Sequence, residues 1–151
     1  MNFELEKHLM AINKATRAII QSFSGGRELE AVPESCSFKV PGCPEWVPHL
    51  DRAREGTFQV VIALTDTKFL VWPRSHLQLI GWDHTSKGFY ALTKKDKDLL
   101  VQAGCAQLVV PASAGDVLIM LGGVCVHSSP RVLVDESERI ATYAHWVPKG
   151  E

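Results

Sequence analysis

Apolar positions recur at helical spacing early in the chain. Leu5, Leu9, Ile12, Ala15, Ile19 and Ile20 fall on one face, and the run stops at Ser24-Gly25-Gly26. The spacing predicts a helix over 3–23. A polar stretch follows as far as Glu34 and breaks at Pro33. A short strand fits 36–40, closed by Pro41-Gly42, and Pro44 and Pro48 keep the next segment extended and irregular. From Thr57 the period changes to two. Phe58, Val60, Ile62 and Leu64 alternate with Thr57, Gln59, Val61, Ala63 and Thr65. A second strand over 69–72 follows Asp66-Thr67-Lys68, so this pair reads as a hairpin. Thr93 caps a helix over 94–103 that Gly104 ends. Strands then fit 105–110, 116–121, 124–129 and 139–147, separated by Gly, Pro and Ser clusters.

One or two helices followed by closely spaced short strands predict a mainly β architecture, a barrel or a two-sheet sandwich. The 151 residues fit one domain, with 1–35 as helix and connector and 36–151 as the β core. The 46% of apolar residues can fill a core, which argues against disorder. Sixteen Lys+Arg against seventeen Asp+Glu give a formal charge of −1, so a basic nucleic-acid footprint is absent and no nucleic-acid partner is expected. No run of about 18 apolar residues suggests a membrane span, and 1–7 lack the apolar stretch of a secretory signal. A cytoplasmic, reducing compartment follows as the expectation. Cys36, Cys43, Cys105 and Cys125 contain no Cys-x-x-Cys pair and read as small buried apolar side chains.

The candidate chemistry lies in His49, Asp51 and His127. On an extended segment, positions i and i+2 project to the same side, so His49 and Asp51 converge. His127 sits late in the chain on a predicted strand. Two imidazole nitrogens and one carboxylate oxygen can occupy one face of an octahedral metal and leave three positions open, the ligand set of non-haem Fe(II). Taken one by one, a His-x-Asp pair is also an ordinary surface pair, and a strand histidine an ordinary core or rim residue.

The surroundings add to this. His49-Leu50-Asp51, then Val60-Val61-Ile62-Ala63-Leu64-Thr65-Asp66, then Val71-Trp72-Pro73-Arg74-Ser75-His76 occur in that order. Gly115-Asp116-Val117-Leu118-Ile119-Met120, His127-Ser128-Ser129 and Arg139 follow. This ordered set resembles phytanoyl-CoA dioxygenase-like proteins, Fe(II)- and 2-oxoglutarate-dependent oxygenases. The resemblance implies a double-stranded β-helix, a jelly-roll or cupin-like barrel, with one or two supporting helices. It implies Fe(II) held by His49, Asp51 and His127, with 2-oxoglutarate and O2 as co-substrates. Arg139 would bind the distal carboxylate of 2-oxoglutarate through its planar fork, and Ser129 would touch the same carboxylate. Arg131, nearer His127, is the competing arginine and reads as a loop charge. Gln59 is either a co-substrate-pocket residue or an outward-facing glutamine. The implied reaction is hydroxylation or another oxidation of a small-molecule substrate; related halogenases lack the carboxylate that Asp51 supplies.

The chain also departs from the pattern. Arg74 stands where the family usually has glycine, so the backbone there is expected to avoid positive φ. The loop after Asp51 and the chain itself are short, which suggests an open pocket or one completed by a second subunit; monomer and homo-oligomer both remain open. Two other readings stand beside the oxygenase. One is a metal-binding barrel without turnover. The other is a cupin-type metalloenzyme that does not use 2-oxoglutarate, and the direction of Arg139 separates it from the oxygenase. His76, His84 and His145 read as core or rim residues. The four tryptophans read as packing residues, with Trp46 or Trp82 the ones that could line a pocket. Residues 94–98 read as a solvated helix face and Gly122-Gly123 as a turn.

Overall fold

In the computed structural model of the chain, residues 14–51, 56–78, 80 and 90–149 are described, with the backbone alone at 33–35. A helix over 14–23 (α1) ends in the glycine turn, where Gly25 and Gly26 both take positive φ. The part of the expected helix before residue 14 lies outside the described residues. Among the described residues nine strands follow: β1 (Leu29–Lys39), β2 (His49–Leu50), β3 (Phe58–Ala63), β4 (Thr67–Val71), β5 (Tyr90–Ala91), β6 (Leu108–Ala112), β7 (Val117–Met120), β8 (His127–Ser128) and β9 (Arg139–Pro148). Helix α2 (Lys94–Gln102) precedes β6. The Thr93 hydroxyl accepts from Asp96 N, and the Asp96 carboxylate accepts from Thr93 N, a capping box. Asp96 is therefore buried, taking a further bond from Tyr90, while its charged neighbours are solvated.

All pairings are antiparallel and form two sheets, ordered β1-β9-β3-β7 and β5-β2-β8-β4-β6. Three apolar layers hold the stack. Ile20 of α1 packs with Leu29, Phe58, Val60, Ile62, Ala144 and Trp146 on the outer face of the first sheet. Leu100 of α2 packs with Leu50, Leu92, Cys105 and Val126 on the outer face of the second. Between the sheets, Val61 and Ala141 meet Phe69, with Val110, Leu118, Met120 and Tyr143 around them. Alternation explains the division: on β3 the even residues face α1 and the odd ones, Gln59 and Val61, face the interior.

Three expectations change. The strand placed at 36–40 begins at Leu29 and runs past Pro33, because β1 is an edge strand and the missing N–H falls at a register shift between Val32 and Ser35. The β3–β4 pair is not a hairpin. β3 is buried along its whole length between β7 and β9, and the chain crosses at 64–66 to the other sheet, where β4 pairs with β6 and β8. Arg74 does adopt a left-handed conformation, φ 69°, at the start of the 3-10 turn Ser75–Leu77. Among the described residues all four cysteines are free, yet Cys105 alone is fully buried and Cys36 is exposed. No helix among the described residues is long and apolar enough to cross a membrane.

Candidate metal centre

The two-residue strands β2 and β8 lie side by side in the second sheet, with His49 directly opposite His127. Their rings are tilted against each other with centroids 4.5 Å apart. Asp51 follows β2 at a bend and is fixed by its own N–H, which donates to the Gly122 carbonyl at 3.1 Å. His49 Nε2 lies 3.5 Å from Asp51 Oδ1, and His127 Nε2 lies 3.2 Å from Oδ2. Among the described residues these three form a group able to hold a metal, their ligand atoms all within 4.8 Å of one another.

The protonation pattern fits a cation. His49 Nδ1 lies 2.8 Å from the Val47 carbonyl, and His127 Nδ1 lies 2.9 Å from the Cys125 carbonyl. Each Nδ1 therefore carries the proton, and each Nε2 turns its lone pair toward Asp51. A neutral ring so oriented has no proton to give the carboxylate. A divalent cation between the three groups satisfies all of them at once. Burial, and the neighbouring His127, push the His49 imidazole down and favour this neutral form. Burial alone would raise the Asp51 carboxyl. Where no cation lies between them and His127 carries a second proton, at Nε2, its hydrogen bond and that of His145, with the charge on the His127 and His49 rings, outweigh burial and hold that carboxyl below the usual carboxylate range.

Two further side chains reach Asp51. Gln59 on β3 donates from Nε2 to Oδ2, and His145 on β9 donates from Nε2 to the same oxygen at 3.0 Å. They are register partners on adjacent strands. The sequence offered Gln59 as an alternative between pocket and surface, and the structure turns it inward and buries it. It offered His145 only as a core or rim residue; its even spacing from Tyr143 and Arg139 was the available signal. Gly122 closes over Gln59: a Cβ there would lie 2.7 Å from Gln59 Cβ, which no real side chain tolerates.

A cavity of about 310 Å³ opens on the triad. Trp46, Val61, Phe69, Met120 and Tyr143 supply apolar and aromatic walls, and Ser37, Ser129 and Cys36 add polar atoms. The expected co-substrate residues are divided. Ser129 lines this cavity. Arg139 begins β9 on the same face as Tyr143 and His145 and is only 7% exposed, but it is not among the lining residues. Its Nη2 donates to Glu136 Oε2 at 2.6 Å, and Nη1 to the Pro130 carbonyl at 3.5 Å. Arg131 is exposed in the loop between β8 and β9. His76 is exposed, and His84 and Trp82 lie outside the described residues.

One lysine escaped the sequence reading. Lys39, at 3% exposure, donates to the carbonyls of Pro44, Ser129 and Pro130 at 2.9, 3.3 and 2.8 Å. Burial pushes its ammonium down. All three of its protons are thus used, and they join the segment before His49 to the segment after His127. Trp46 N to Ser129 O at 3.0 Å and Ser128 Oγ to Trp46 O at 2.6 Å complete the seam.

No family model and no curated protein matches the sequence. Solved structures do. A non-haem α-ketoglutarate-dependent carbocyclase, SnoK from nogalamycin biosynthesis, aligns at 22% identity and TM-score 0.66, over 85% of this chain and 53% of its own. The epimerase SnoN, in complex with Fe3+, α-ketoglutarate and nogalamycin RO, aligns at 17% identity and TM-score 0.68, over 87% and 54%. EctD from S. alaskensis, with 2-oxoglutarate and 5-hydroxyectoine, aligns at 12% identity and TM-score 0.65, over 86% and 48%. The chain spans about half the length of each of these structures. At these identities the likeness is one of fold, and the chain shares its fold with iron- and 2-oxoglutarate-dependent enzymes.

Proposed function

We propose that this chain is an Fe(II)- and 2-oxoglutarate-dependent oxygenase of the phytanoyl-CoA dioxygenase-like kind, acting on a small molecule. The observation that carries the reading is the convergence of two Nε2 atoms and one carboxylate, with both Nδ1 protons committed to backbone carbonyls. The strand order, in which β1, β3, β7 and β9 form one sheet and β2, β4, β6 and β8 lie in the other, supports a double-stranded β-helix. The fold neighbours solved with Fe3+ and α-ketoglutarate, or with 2-oxoglutarate, support the same cofactors here.

In this reading His49, Asp51 and His127 hold the iron. Bound there with 2-oxoglutarate and O2, iron would supply the oxidising power for oxidation of a substrate C–H bond. The chain supplies the rest. The carbonyls of Val47 and Cys125 keep the imidazoles in the ligating tautomer. Trp46, Phe69 and Tyr143 line the cavity with ring surface that excludes water and packs an apolar substrate. Ser129 offers a hydroxyl to a co-substrate carboxylate, and Arg139 offers its fork once Glu136 shares it. Succinate formation from 2-oxoglutarate with Fe(II) and ascorbate tests the reading. Wild type is expected to produce succinate and Asp51→Ala none; equal production by the two proteins would overturn it.

One observation favours a second reading. Arg139 is occupied by Glu136 and stands back from the cavity, as expected of a metalloenzyme that does not use 2-oxoglutarate. Calorimetric titration of the Mn(II)-loaded protein with 2-oxoglutarate separates the two. Binding that is lost in Arg139→Leu supports the oxygenase, and no binding by wild type supports the alternative.

A further inference from the structure

We propose that Gln59 and His145 are positioning residues that hold Asp51 Oδ2, so that the carboxylate meets the metal through Oδ1 alone; this rests on the metal-binding reading above. An ionised carboxylate oxygen offers about two lone-pair directions. At Oδ2 the Gln59 amide and the His145 imidazole take them both. Once a metal replaces a proton at His127 Nε2, that ring no longer competes for Oδ2. Oδ1 keeps its lone pairs and faces His49 Nε2 at 3.5 Å. A carboxylate held this way cannot swing to chelate the metal through both oxygens without breaking two hydrogen bonds, so positions opposite the triad stay open for other ligands.

The clamp is built into the strands. Gln59 and His145 are opposed in the β3–β9 register, so the two donors come from neighbouring positions on one sheet while the metal-facing histidines come from the other. Gly122 lies against Gln59 Cβ and also accepts from Asp51 N, tying the backbone of Asp51 to the same construction. The first sheet thus sets the angle of a ligand that the second sheet presents.

Co(II) titration of the metal-free full chain tests this, read by visible absorption for coordination and by competition with a chelator for affinity. His145→Leu and Gln59→Leu are each expected to weaken Co(II) binding about tenfold and to change the absorption envelope as the freed Oδ2 reaches the metal. His145→Gln, which keeps an N–H donor, is expected to recover most of the affinity and the wild-type spectrum. Wild-type affinity and spectrum in both leucine variants would overturn the proposal. So would a His145→Gln protein as impaired as His145→Leu, since shape rather than hydrogen bonding would then matter. Failure of wild type itself to bind Co(II) would overturn the metal reading along with the clamp.

Discussion

The inward face of β9 carries two polar stations, and they are built oppositely. At one end Arg139 is a buried cation that already has its anion, the Glu136 carboxylate, and Glu136 is tied in turn by Lys68 and by Leu133 N. At the other end His145 donates to Asp51, a half-buried anion that also faces the Nε2 atoms of His49 and His127. The first station is balanced without a ligand. The second gathers two imidazoles and a carboxylate that a cation could bridge. A buried polar cluster that is satisfied internally reads as architecture, and one whose donors and acceptors do not match reads as a site.

The comparison can be broken first at the metal end. Asp51→Ala is expected to weaken Mn(II) binding by more than about 100-fold, measured by the loss of the free-ion EPR signal on titration, because a direct donor is removed. Lys39→Met strikes the seam beside the Arg139 end. It takes one hydrogen bond from each of three carbonyls and leaves Pro44 O without its donor, and chemical denaturation is expected to show a loss of about 2 kcal/mol. Gly122→Ala forces Gln59 away from Asp51 and should cost about 2 kcal/mol by thermal unfolding, with weaker metal binding alongside. Glu136→Gln sharpens the contrast from the other side. Freeing Arg139 is expected to tighten 2-oxoglutarate binding about threefold by calorimetry, a charge-assisted bond then being available to the ligand. Arg74→Gly touches neither station. Relief of its left-handed backbone should raise stability by up to about 1 kcal/mol, seen as a higher Tm.

Much of this was legible in the chain because it is local. The Thr93 cap, the Gly104 stop, β3 and β9 follow from short-range periodicity and turn chemistry, and the His-x-Asp spacing brought His49 and Asp51 to one side. The errors are long-range. Nothing near Asp66 announces that β3 and β4 belong to different sheets; that depends on β9 arriving to pair with β3. Pro33 reads as a break until β1 is known to be an edge. His145 gained its role only through the register that sets it beside Gln59. Lys39 looked like any charged residue at a strand end, because its partners are carbonyls, which every residue has. Arg74 shows the converse, since turn geometry overrode a side-chain preference.

The seam between Trp46 and Ser129 bears on how the protein is made. During synthesis the His49–Asp51 pair leaves the ribosome long before its third donor, and the oxygen that His145 grips waits longer still. On the metal-binding reading the triad is complete once β8 has formed, but the grip on Asp51 waits until β9 joins the first sheet, and distant pairings of this kind form slowly. Metal uptake should then be among the last events of maturation, and the rate of Co(II) colour development after dilution from denaturant should follow the closing of β9 rather than the earlier appearance of helix.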